Sequence, residues 1–269
     1  MFLLFLLSIT SRNVSGKDKE IFLPIKITFT NEYKPERNSV EIFEYDDQNR
    51  LTSYEMNVID TTYYSKLMFY YDNSGKLIKV DRKYRPHAKR SYEYIIKYET
   101  DNKVEIATES GMQFGAGVSF NTDYYILDNK GRAEVALLED PQGSRNSIFF
   151  KYNNEGNLSE IEGSSTRTKY SYGNKKAIFK DVATSNWVMH YFINFWFDYI
   201  YNNVIEEREQ TYSRLASEGE DNPLFKIKIT DCKYNEADYP TSYVREVKTF
   251  LSPIPEKYYL TIEYKKTVR

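Results

Sequence analysis

Tyr71-Asp72-Asn73-Ser74-Gly75-Lys76-Leu77 decides the fold. An apolar residue at every second place (Leu67, Phe69, Tyr71) marks a strand with one buried face. The run stops at Tyr71, five polar or small residues follow, and Leu77 opens the next run. Tyr45-Asp46-Asp47-Gln48-Asn49-Arg50-Leu51 and Tyr152-Asn153-Asn154-Glu155-Gly156-Asn157-Leu158 repeat the arrangement. A period this regular sets the architecture of a whole chain.

The turn residues explain the spacing. Asp or Asn after the Tyr can accept hydrogen bonds from its own turn backbone. The fifth place holds Asn49, Gly75, Asn102, Gly131 and Gly156, residue types that tolerate positive φ. A type I turn closed by a left-handed residue is a common hairpin connection. Tyr98 to Val104 and Leu127 to Ala133 are weaker copies. Tyr172-Gly173-Asn174-Lys175 and Tyr201-Asn202-Asn203-Val204 read as shortened turns, and Tyr234 to Pro240 restores the spacing. Anchors at 45, 71, 98, 127, 152, 172, 201 and 234 lie 20 to 33 residues apart, room for two strands and two turns each. Ile148, Phe150 and Tyr152 share a face, as do Leu260, Ile262 and Tyr264. The expectation is an all-β antiparallel meander of repeated hairpins, roughly 12–16 strands, curled by its twist into a barrel-like or open-barrel sheet. No linker divides it, so residues 17–269 are expected to form a single β-repeat domain.

Composition agrees. The 269 residues include 26 Tyr and 16 Phe, which favour half-buried pleated surfaces. A formal charge of −2 creates no field for nucleic acid or an anionic membrane, so neither is expected as a partner.

The Tyr-Asp-x-x-Gly-x-Leu pattern resembles the YD repeat of the Rhs family, whose repeats build β-sheet shells. With the length of the chain and its closing Tyr234-Asn235-Glu236-Ala237-Asp238-Tyr239-Pro240-Thr241, it is closer to exported Bacteroidales proteins of unknown function with a porin-like β-fold. The resemblance covers most of residues 38–265 and implies structure; it brings no catalytic residue. A counterpart to the toxin-like C-terminal region of Rhs proteins is not expected.

Phe2 to Ile9 is an apolar stretch of signal-peptide length, followed by polar Ser11 to Ser15. Val14 and Gly16 suit the −3 and −1 positions of a cleavage site, so residues 1–16 are expected to be a signal peptide. Cys232 is the only cysteine, which excludes an intramolecular disulfide, and no cysteine follows the apolar stretch to carry a lipoprotein anchor. A periplasmic or secreted protein is expected, with no transmembrane helix.

Residues 184–201 break the pattern. Trp187 and Trp196, the only tryptophans, lie here, and His190, Asn194 and Asp198 recur every four residues, one polar stripe if the segment is helical. A sheet of this size encloses more space than its own side chains fill, so the segment is expected to pack in the concavity. Such a plug is the structural reading. The functional reading is an aromatic-lined site with Trp187, His190, Asn194, Trp196 and Asp198 as candidate ligand-binding residues.

Chemistry is sparse elsewhere. The two histidines, His87 and His190, belong to no zinc-binding spacing, and no cofactor or metal is expected. Ser110 to Gly117 lacks the spacing of a phosphate loop and reads as a bend. His87 lies in a basic stretch that reads as a solvated loop. Carboxylates including Glu41, Glu44, Glu93, Glu105, Glu160, Glu206 and Glu207 are plentiful, but a glycosidase needs two of them facing each other. The expectation is a non-enzymatic, exported cell-envelope binding or scaffold protein, its partner a glycan or another envelope protein. A glycan-degrading enzyme with two carboxylates is the alternative. An outer-membrane barrel fits poorly, because Lys and Glu alternate with the apolar residues.

Overall fold

A computed structural model describes residues 19–59, 61, 63–85, 90–112, 119–139, 143–193, 203–212, 223–250 and 252–268. The expected signal peptide, residues 86–89 with His87, and the centre of the glycine-rich loop lie outside them, whereas Arg82, Lys83 and Arg85 of the basic stretch fall on a strand and Arg90 opens the next. The first eight strands are β1 Glu20–Thr30, β2 Ser39–Tyr45, β3 Leu51–Val58, β4 Tyr64–Tyr71, β5 Leu77–Arg85, β6 Arg90–Thr100, β7 Lys103–Met112 and β8 Ser119–Leu127. The second eight are β9 Ala133–Glu139, β10 Arg145–Tyr152, β11 Leu158–Glu162, β12 Thr166–Lys176, β13 Asn203–Tyr212, β14 Pro223–Tyr234, β15 Pro240–Thr249 and β16 Ser252–Val268. Each pairs antiparallel with its neighbour in sequence, and β1 pairs with β16 from Glu20↔Val268 to Thr30↔Tyr259, so the sheet closes. The meander is therefore a sixteen-stranded barrel without a free edge.

The repeat turns all lie at one end. In the first, Asp46 Oδ1 accepts from the N–H groups of Gln48 and Arg50 (both 2.9 Å), while Oδ2 accepts from Arg50 Nε (2.7 Å). Asp128 and Arg132 repeat these bonds at the same distances. Burial works against charge on Asp46, but the bonds from Arg50 hold its carboxyl below the ordinary range. Positive φ falls on Asn49, Gly75, Gly131, Gly156 and Asp238, one per turn. Asn102 does not join them: β6 and β7 pair out to Thr100↔Lys103, which leaves only Asp101-Asn102 for the turn. Nor does Tyr172 open a turn. Strand β12 runs on to Lys176 through two register shifts, and a Cβ on Gly173 would meet the end of the Glu206 side chain, Oε1 at 2.9 Å.

The repeat tyrosines close this end. The β3–β4 ladder stops at Ser53↔Met68, and beyond it Tyr71 donates its hydroxyl to the Leu51 carbonyl (2.9 Å). Tyr45 does the same to Pro24 (2.8 Å), Tyr152 to Ala133 (2.8 Å), Tyr172 to Leu158 (2.7 Å) and Tyr264 to Pro240 (2.9 Å). Each phenol supplies the donor that a splayed backbone ladder no longer offers. A cation lies over several of the rings, Arg50 over Tyr71 at 4.4 Å and Arg132 over Tyr152 at 4.0 Å.

The inner face is apolar and the outer face charged. Leu67, Phe69, Val80, Ile96, Ile106, Tyr125, Phe150, Ile227 and Leu260 point into one continuous core. Outside, cross-strand ion pairs run around the barrel: Lys26–Glu263 (2.8 Å), Lys79–Glu93 (2.8 Å), Lys151–Glu160 (2.6 Å), Lys226–Glu207 (3.0 Å) and Lys257–Glu246 (2.9 Å). Solvated pairs of this kind add little stability. Ile42, Tyr70, Ile78 and Phe149 are exposed on the barrel as well.

Candidate functional site

After Lys176 the chain turns from the tyrosine-closed end into the barrel. Ala177, Ile178 and Phe179 are buried, with Phe179 edge-on to Phe43 at 5.0 Å. Asp181 accepts from the Tyr239 hydroxyl (2.6 Å) and the Phe22 N–H (3.1 Å). Thr184 Oγ1 accepts from the Leu51 N–H (2.7 Å), and the Ala183 N–H donates to the Asn49 carbonyl (2.9 Å). These bonds fix the entry to a short helix, Asn186–Val188, that continues as a π-helical turn, Met189–Ile193.

The two expected site residues within the described chain sit in this plug. Trp187 is 1% exposed, its ring 5.8 Å from that of Tyr125. His190 Nδ1 lies 3.0 Å from the Tyr125 hydroxyl and the imidazole is edge-on to Phe150 at 4.7 Å. Burial, with Arg208 nearby, pushes the His190 pKa down to about 4, so the ring is neutral at physiological pH. Phe192 meets Phe69 and Tyr94 edge-on, and the Tyr191 hydroxyl donates to Asp123 (2.6 Å). Asn194, Trp196 and Asp198 lie outside the described residues. A cavity of ≈ 190 Å³ touches Trp187, bounded by Arg50, Tyr71, Tyr98 and Thr184 at the turn end.

A second space is at the opposite end. A cavity of ≈ 510 Å³ runs from exposed Glu36, Arg37 and Tyr63 down to buried Phe29, Glu41 and Arg245, with Ser39, Met56, Val58 and Tyr258 completing the wall. Glu36 and Arg37 belong to a single 3₁₀ turn, Pro35–Arg37, between β1 and β2. Arg37 donates to Glu256 (2.6 Å) and to the Tyr258 hydroxyl (3.2 Å), and Lys34 also pairs with Glu256. Glu41 is the unusual group. It is 2% exposed, its Oε2 has no hydrogen-bond partner, and burial pushes its pKa up to about 8 against the opposing pull of Tyr54 and Arg245.

No family model matches the chain, and no curated protein matches it. Among solved structures, the chain is similar to a porin-like protein from Bacteroides uniformis ATCC 8492. The identity is 14%, covering 91% of this chain and 96% of that one, with a TM-score of 0.40. A porin-like protein from Bacteroides vulgatus ATCC 8482 is 10% identical, covering 91% and 99%, with a TM-score of 0.43. The TcdB2-TccC3-Cdc42 structure is 12% identical over 86% of this chain and 14% of that one, with a TM-score of 0.27.

The cavity residues come from positions 29 to 63 and 245 to 258, brought together by the β1–β2 and β1–β16 pairings. Glu41 stands in the sequence only as one of many carboxylates and Arg245 is not singled out, yet both carry a local signal. Each occupies an inward alternate position, Glu41 before Phe43 and Arg245 between Tyr243 and Val247. A charge on an apolar strand face is the mark to look for.

Proposed function

We propose that this protein is an exported, non-enzymatic binding protein of the cell envelope that holds a glycan in the ≈ 510 Å³ cavity. The observation that carries the reading is the mixed lining of that cavity. Tyr63, Tyr258, Phe29 and Met56 offer apolar surface to the C–H faces of a sugar, and Ser39, Glu41, Arg37 and Arg245 supply hydrogen-bonding groups for its oxygens. The volume is that of a small-molecule site. The charged outer face supports an aqueous setting, and the apolar Phe2 to Ile9 stretch supports export. Kinship with YD-repeat shells is part of the same proposal, supported by the Asp-capped turns that follow Tyr45 and Tyr71.

A glycan array followed by thermal-shift measurements tests this. Retention of a carbohydrate by the wild type, weakened at least tenfold in Tyr63→Ala, supports the site. Failure to retain any carbohydrate removes it.

One observation favours a second reading, a glycan-degrading enzyme: Glu36 and Glu41 line the same cavity, one exposed and one buried with a raised pKa. Release of reducing sugar from any retained glycan, abolished in Glu41→Gln, would replace the binding reading with this one.

A further inference from the structure

Closure pairs every strand, but the ladders do not all reach the far rim. Strand β11 is the shortest, and its hairpin with β12 turns over at Ser164-Ser165, where the Gly163 N–H donates to the Thr166 carbonyl (2.8 Å). Gly163 and Ile161 therefore turn their backbone groups to β12, and Glu162 and Glu160 turn theirs to Phe149 and Lys151 on β10. By the same alternation Ser147 and Arg145 also face the β11 side. The β10–β11 ladder has ended at Phe149↔Glu162, whereas β9 supports β10 out to Glu139↔Arg145. The N–H and C=O groups of Ser147 and Arg145 thus look over the β11–β12 turn from a braced strand, with no partner among the described residues.

Two other ladders stop short of this rim, and both are covered. Beyond Tyr124↔Leu137, Asp123 accepts from the Glu139 N–H (2.8 Å) and Glu139 from the Thr122 N–H (3.1 Å). Beyond Thr30↔Tyr259, β16 carries Pro253 and Pro255, which have no N–H, and Lys34 and Arg37 pair with Glu256. The β10 edge has neither device. It borders a concavity of ≈ 640 Å³ on the outer wall, lined by Arg145, Ser147, Phe149, Lys151, Glu162 and Ser164. Phe149 is 48% exposed there. Glu162 is held by Lys151 (3.2 Å) and Arg167 (2.9 Å), while Arg145 makes no ion pair among the described residues and rests over the Tyr124 ring at 5.5 Å. The uncommitted charge of the concavity is positive.

We propose that this edge takes up an extended acidic segment of a partner protein, which adds to β10 as a further strand. The segment's backbone exchanges hydrogen bonds with Ser147 and Arg145. An Asp or Glu opposite Arg145 takes the guanidinium, and an apolar residue two places along covers Phe149. A second copy of this chain fits less well, because pairing two β10 edges brings two Arg145 side chains together without a carboxylate between them. The site is on the outer wall and independent of the glycan cavity.

The test is selection of a random linear peptide library displayed on phage, followed by fluorescence anisotropy of the selected peptides with the wild type, Ser147→Pro and Arg145→Glu. Ser147→Pro removes a donor on the open side of β10 and leaves the bonds to β9 intact. The expected peptides carry an acidic residue two places from an apolar one, and each variant weakens their binding about tenfold. Replacing the acid of the peptide with lysine should restore binding to Arg145→Glu. Circular dichroism checks that the variants fold. If Ser147→Pro does not, N-methylating the peptide amides one at a time reads the same backbone bonds, and at least one position should lose about tenfold. Failure to select any peptide, or peptides that bind both variants as tightly as the wild type, overturns the proposal. Concentration-dependent dimers in light scattering, lost in Ser147→Pro, would assign the edge to a second copy and overturn it equally.

Discussion

Replacing Trp187 with alanine tests whether the plug holds the barrel together. The indole is 1% exposed and packs on Tyr125, beside buried Val188 and Met189. A buried aromatic side chain removes about 150–250 Å² from water, which at about 25 cal/mol per Å² gives an upper bound of about 4–6 kcal/mol. Truncations of this type cost about 3–5 kcal/mol. The ≈ 190 Å³ cavity already touching Trp187 has Arg50, Lys76 and Thr184 in its wall, so water can enter the enlarged space. That places the expected loss at the lower end, about 3 kcal/mol. For a chain of this size the melting temperature should drop by about 6–12 °C. Differential scanning fluorimetry with an extrinsic dye and urea titration followed by circular dichroism both read it. Trp187→Phe should recover more than half of the loss. A shift under about 2 °C in both assays would mean that the segment fills space without bearing on stability, and the packing argument would fail.

Three further outcomes follow from the turns and the buried titrating groups. Gly75→Ala should cost about 1–2 kcal/mol, since φ is +86° and the new Cβ would meet Arg50 Nη1 at 2.9 Å. Gly131→Ala, at φ +73° with open space around it, should cost less; equal losses in urea titrations would show that the Arg50 contact is irrelevant. Tyr71→Phe strands the Leu51 carbonyl beyond the end of its ladder and should cost about 1 kcal/mol, read from the urea midpoint, whereas Tyr70→Phe on the outer face should be silent. With His190 and Glu41 acting together, stability should be nearly flat between about pH 4.5 and 6.5, where their opposite slopes cancel, and fall from 6.5 to about 8. His190, lowered to about 4, is neutral when folded, so stability is lost as pH drops below the unfolded value of 6.5. Glu41, raised to about 8, stays protonated when folded, so stability is lost as pH rises above the unfolded value of 4.5 and levels off past 8. Glu41→Gln should therefore gain on the wild type across that upper window in pH-dependent urea titrations, and a constant difference between the two would contradict the assignment.

The sequence by itself determined the local units. Alternation fixed which residues of each strand share a face, and Asp46, Gly75 and Gly156 fixed turns, because these depend on neighbours a few residues apart. It also singled out residues 184–201 by their failure to repeat, and Trp187 to Ile193 do pack inside the sheet. Tertiary structure decided everything that needs distant strands to meet. Closure rests on β1 finding β16, more than 200 residues away. The tyrosines' second role, bonding the carbonyl beyond the ladder on the neighbouring strand, depends on where each ladder stops. The cavity at the far end depends most heavily on assembly. Glu41 and Arg245 share a wall only because the barrel closes, and that same closure removes the water that would have kept Glu41 an ordinary acid.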